Sequence, residues 1–187
     1  MRRLLALSGC MLFLGCGSGE VDLTVNGLTL IQKDQLYTSK PSGFFCDTVP
    51  EGQIRIVVTD FSPGCPLDVA PGDPSPRDSS LEHNEIVIVL GGLGMDHSHQ
   101  DLRTPFSVSK IDCVTAGDNG TAYFNHYKAG SSSTTTPDTT IQVDSGSVKL
   151  DQWDASGKLD TKGSFTLTFG GSTVTGKLGA VSCDPTG

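Results

Sequence analysis

Long hydrophobic runs are scarce in this sequence. The longest, Leu4 to Leu14, is broken by Ser8, Gly9 and Cys10 and falls well short of the roughly 20 apolar residues that a membrane-crossing helix needs. No stretch keeps an apolar period of 3.6 through four turns, so a helical bundle is not expected. Catalytic motifs are also missing. There is no G-x-S-x-G elbow, no H-E-x-x-H pair, no Walker loop and no EF-hand loop. Cations are few, with 13 Lys and Arg against 21 Asp and Glu. That balance argues against nucleic acid as a partner, because such affinity comes from cationic contacts to phosphate. No two cysteines have C-x-x-C spacing and none stands beside a histidine at zinc-finger spacing, which argues against a structural metal site built on them.

What is present begins with a targeting signal. Met1-Arg2-Arg3 is a short basic segment, and the interrupted apolar run behind it has the length of a signal-peptide core. The run ends in Phe13-Leu14-Gly15-Cys16. These four residues resemble the bacterial lipobox, in which the cysteine thiol takes a diacylglyceryl group and the preceding peptide bond is cut. Gly15 meets the need for a small residue at the cut, whereas Phe13 departs from the usual Leu. Leu7-Ser8-Gly9-Cys10 is nearer to the consensus, but it leaves only Leu4 to Leu7 as an apolar core, fewer than such a core needs. The expected organisation is therefore a signal peptide over 1–15, a lipidated Cys16 with a flexible tether over 16–20, and a single β-domain over 21–187. The resemblance implies anchoring in the cell envelope by acyl chains such as palmitate. Gly17, where some bacteria place Asp as an inner-membrane retention signal, favours the outer membrane.

Cleavage before Cys16 would leave 172 residues with 11 Lys and Arg against 21 Asp and Glu. A chain this acidic gains little from anionic headgroups, so the lipid itself must hold it on the membrane. Four cysteines remain besides Cys16 and Cys10: Cys46, Cys65, Cys113 and Cys183. In an exported protein an even number reads as two disulfides, and three pairings are open. Cys46–Cys65 with Cys113–Cys183 is the preferred set. The first clips a Pro-rich loop to a neighbouring strand, and the second holds the C-terminal strand to the middle of the sheet.

Period-2 patterning dominates the rest. Val21 to Gln32 reads as strand, Asn26-Gly27 turn, strand. Gly43 to Val49 is a candidate short strand, and Ile54, Ile56 and Val58 mark another over Gln53 to Phe61. The segment from Ser62 to Ser80 carries five prolines and reads as a long loop. Glu85 to Leu90 is a continuous apolar strand, expected to be buried on both faces. Further strands are expected over Phe106 to Val114 and Thr121 to Lys128, joined through Asp118-Asn119-Gly120. Others follow over Thr139 to Val143, Ser147 to Trp153, Gly163 to Phe169 and Ser172 to Leu178, with the Ser/Thr tract of Gly130 to Pro137 as an exposed hairpin loop. About ten short strands predict an all-β fold, an antiparallel sandwich or barrel.

One segment is chemically dense: Met95-Asp96-His97-Ser98-His99-Gln100-Asp101. On a strand, His97 and His99 would share a face, and with Asp96 and Asp101 they are the candidate ligands for Cu(II) or Zn(II). Two imidazoles need a third ligand that spacing does not supply, so a polar surface loop is the preferred reading and no metal or other cofactor is expected. His83 and His126 read as ordinary loop or strand residues. Asp144, Asp151, Asp154 and Asp160 read as solvated turn carboxylates. Trp153 with Tyr123 and Tyr127 reads as sheet packing.

A wider resemblance rests on the order of these parts. A lipobox is followed by a Val25-Asn26-Gly27 hairpin, then by an aliphatic strand ending Thr59-Asp60-Phe61 with Cys65 beyond it. The chain closes with Gly146-Ser-Val-Lys-Leu, Gly163-Ser-Phe-Thr-Leu-Thr-Phe, Val174-Thr-Gly-Lys-Leu-Gly-Ala and Cys183. This pattern is similar to a group of Gly- and Asp-rich bacterial envelope lipoproteins with one β-domain, a group that carries no activity over to this chain. The leading expectation is a non-enzymatic, membrane-tethered domain with a binding or structural role toward a protein or glycan. The alternatives are a periplasmic metal-binding protein using His97 and His99, and an envelope hydrolase without a recognisable motif.

Overall fold

A computed structural model describes residues 22–38, 53–61, 80–91, 104–111, 114, 119–130, 136–153 and 159–183. Among them are eleven strands and no helix: β1 Asp22–Val25, β2 Leu28–Ile31, β3 Asp34–Thr38, β4 Ile54–Thr59, β5 His83–Leu90, β6 Phe106–Ser109, β7 Asn119–Tyr127, β8 Thr139–Gln142, β9 Ser145–Gln152, β10 Thr161–Phe169 and β11 Ser172–Ser182. The all-β expectation holds, and the architecture is a barrel. Its sheet runs β5-β4-β3-β11-β10-β9-β6-β7 and closes through a β5–β7 pairing. β8 adds to the free part of β7, and β1–β2 form a separate small sheet.

Two pairings are parallel, β3 with β11 and β6 with β7. The Asp118-Asn119-Gly120 signal therefore does not mark a hairpin: Asn119 and Gly120 open β7 alongside Ser107 and Val108. Gly120 is needed there for close approach. A Cβ on it would stand 2.7 Å from the Val89 carbonyl oxygen, a distance that strand packing does not tolerate. The Phe106 to Val114 expectation is also too long, since the strand ends at Ser109.

Alternation sorts side chains into two layers. Ile54, Ile56, Val58, Ile86, Ile88, Leu90, Phe124, Val148, Leu150, Phe165, Leu167 and Phe169 point inward and fill the barrel. Thr166, Thr168, Thr173, Thr175, Lys149 and Lys177 alternate with them and are largely exposed. This arrangement is the reverse of a lipid-facing barrel, whose apolar band is external. On β4 and β5 the outward side is buried too. Leu36, Val57, Val87, Val89, Val114 and Cys183 form a second apolar cluster there, with Ile111 against it. Gln53 Nε2 donates to the Val114 carbonyl and Gln142 Nε2 to that of Ile111, both at 3.0 Å, which seats this covering segment on the wall. The described residues include no helix long and apolar enough to cross a membrane.

Candidate functional site

The β1–β2 hairpin spans one mouth of the barrel. The Asn26-Gly27 turn takes positive φ at both residues, +50° and +82°, which fits a two-residue hairpin. Leu23, Val25 and Leu30 then face the interior and join its core. The turn reaches Ser172, whose hydroxyl lies 3.5 Å from the Asn26 amide nitrogen and from its side-chain oxygen.

Beneath the hairpin lies a buried polar network. Asp60 follows β4, His83 and Asn84 open β5, and His126 is near the end of β7. Asn84 is the hub. Its Nδ2 donates to the Thr29 carbonyl of the hairpin at 2.9 Å, so its Oδ1 faces His126 Nδ1 at 3.0 Å and accepts from it. Asp60 Oδ2 accepts the Asn84 backbone N–H at 2.8 Å, and Asp60 Oδ1 lies 3.1 Å from His83 Nδ1. Glu82 Oε1 lies 3.8 Å from His126 Nδ1. Phe61 packs against the His83 ring, with centroids 5.0 Å apart. Burial raises the Asp60 carboxyl above its usual range, and the hydrogen bonds from Asn84 and His83 offset part of that rise.

His83 and His126 lie on strands, as one of the two readings had it, but they are 5% and 6% exposed and bonded to Asp60 and Asn84. The signal was present in the sequence. His83-Asn84-Glu85 opens a strand whose following residues are apolar on both faces, so these polar groups must be buried with it and must find partners.

A second polar group lies on the outer side of the same strands. Glu85 Oε1 accepts from the Tyr127 hydroxyl at 2.6 Å and from Asn125 Nδ2 at 2.9 Å, and Asn125 Oδ1 accepts from Thr140. Burial lowers the pKa of Arg55, opposed chiefly by the nearby Glu85 carboxylate. Tyr127 and Trp153 serve packing: the first is buried, and the second is half-buried against the core.

Of the cysteines singled out from sequence, Cys183 is described. It is buried in the outer cluster, and its backbone N–H donates to the Tyr37 carbonyl at 2.8 Å. Cys16, Cys46, Cys65, Cys113 and the candidate ligands Asp96, His97, His99 and Asp101 lie outside the described residues. Among the described residues no three His, Cys, Asp or Glu side chains converge as a metal-binding group. Comparison with protein-family models, with curated proteins and with solved structures finds no match to this chain.

Proposed function

We propose that this chain is a lipid-anchored envelope protein whose barrel serves a non-enzymatic binding or structural role on its outer surface. The observation that carries the reading is how the barrel's two faces are used. Its interior is packed with apolar side chains, and the outward sides of β9, β10 and β11 are mostly Ser, Thr and Lys, with Asp151 and one exposed aliphatic residue, Val181. A filled interior favours recognition on the rims and the outer wall over an enclosed ligand site. A polar outer wall has no affinity for lipid tails, so residence at a membrane falls to the acyl chains on Cys16. The tether of 16–20 separates them from the folded domain, and Gly17 favours the outer membrane.

Two disulfides, Cys46–Cys65 and Cys113–Cys183, belong to the same proposal. Cys183 is buried just past the end of β11, a place where half of a disulfide would pin the last strand. The choice of Cys113 as its partner is supported by the outer cluster, where Cys183 packs with Val114 and Ile111, the described neighbours of Cys113. Such bridges suit an oxidising compartment.

Fractionation tests the anchor. Wild-type protein is expected in the membrane pellet and the Cys16→Ser variant in the soluble envelope fraction. A Cys16→Ser protein that still sediments, with Cys10→Ser released instead, would move the processing site to Cys10.

A further inference from the structure

The hairpin has two faces. Leu23, Val25 and Leu30 point into the barrel, while Asp22, Thr24, Thr29 and Ile31 point out. Ile31 breaks the polar pattern of the outer face and is 65% exposed, more than any other large hydrophobic side chain among the described residues. In the register it sits directly opposite Asp22, the first residue of β1. Leu81, 54% exposed, precedes β5 at the same rim. Backbone and side-chain bonds tie these segments together, from Lys33 N–H to the Thr59 carbonyl, from Asp60 N–H to the Asn84 carbonyl, and from Asn84 to Thr29. Leu159 and Val181, also exposed, lie toward the opposite end of the barrel, where the Leu159 carbonyl accepts from the Tyr37 hydroxyl, so it is the tether and not exposure alone that selects between the two ends.

Six peptide steps separate Cys16 from Asp22, so the tether spans at most about 20 Å. The rim that carries Ile31 is thus kept within that distance of the lipid headgroups. We propose that this rim rests on the bilayer, with Ile31 and Leu81 at interfacial depth, so that the far rim faces away from the membrane. The inference rests on the reading of Cys16 as the lipidated residue. Two aliphatic side chains would not hold a free domain to a vesicle. Tethered, they meet the surface at a high effective concentration, and a weak contact then suffices to orient the barrel. The partner surface is zwitterionic phospholipid. Asp22 and Glu82 are exposed at the same rim beside Lys33, so anionic headgroups gain nothing there.

The test uses the full lipidated chain in phosphatidylcholine and phosphatidylethanolamine vesicles with brominated acyl chains. Tryptophan is placed at either rim as Ile31→Trp or Leu159→Trp, each with Trp153→Phe. The expected result is loss of about half or more of the emission at position 31, together with a blue shift, and little loss at position 159. Equal quenching at both positions in protein that floats with the vesicles overturns the orientation while leaving the anchor intact. Protein that neither floats nor carries lipid by mass overturns the anchor reading and this inference with it. Hydrogen exchange on the chain with its native Trp153 gives a second readout that needs no substitution. Amides of 28–33 should exchange severalfold more slowly on vesicles than in detergent, and unchanged rates overturn the proposal.

Discussion

At the scale of single residues, Asn84 does most to join the barrel to its cap. Its side chain satisfies a hairpin carbonyl and a buried imidazole at once. Asn84→Ala removes both bonds, at a cost of about 1–3 kcal/mol. Denaturant titration should show that loss, and amides of β1 and β2 should lose exchange protection before those of β5. Unchanged hairpin protection would mean that apolar packing alone seats it. Asp60 adds a pH dependence. Its carboxyl is raised chiefly by burial, so the folded state binds that proton more tightly than the unfolded chain does. The associated stability is fully present below the ordinary carboxylate pKa and is lost as pH rises through the raised value. Asp60→Asn cannot titrate. The stability of wild type relative to Asp60→Asn should therefore fall between about pH 4 and neutrality, and a difference that stays flat across that window would contradict the assignment. Neither residue stood out in the sequence, because a buried histidine or aspartate is written with the same letters as a solvated one. What could be read was indirect: polar residues leading into a strand buried on both faces.

At the scale of elements, the sequence was legible wherever alternation was clean. The β1–β2 hairpin, β5, β9, β10 and β11 all fall where period 2 and Gly punctuation put them, within a few residues. Glycine misled at Gly120, because it serves two purposes that look alike. At Gly27 it supplies a positive φ for a turn. At Gly120 and Gly163 it lies inside a strand and lets a neighbouring backbone come close. A Cβ at Gly163 would fall 2.0 Å from the Lys149 carbonyl oxygen, beside the irregularity in the β9–β10 register. That atom is backbone and cannot swing aside. Gly163→Ala should cost about 1–3 kcal/mol through displacement of the two strands. Ser164→Ala, one residue on and exposed, should stay within about 0.5 kcal/mol of wild type. Equal thermal midpoints for the two variants would remove the close-approach argument.

At the scale of the whole molecule, closure was not readable. Local patterning predicts strands and their faces, but the contacts that turn a sheet into a barrel join remote segments: β3 to β11, and β5 to β7. No short window of sequence encodes such registers, so sandwich and barrel stay equivalent until the strands are paired. The outer cluster of Leu36, Val57, Val87, Val89, Val114 and Cys183 has the same origin, since it gathers residues from five separate stretches of chain. Once closed, the barrel is apolar within and largely polar over β9 to β11, so in the proposed function attachment to a membrane falls to the lipid on Cys16. The most direct test is the intact mass of the protein extracted from the envelope in detergent. The account predicts a single processed chain whose first residue is an acylated Cys16. A chain that retains residues 1–15, or one cleaved elsewhere and free of lipid, would contradict it.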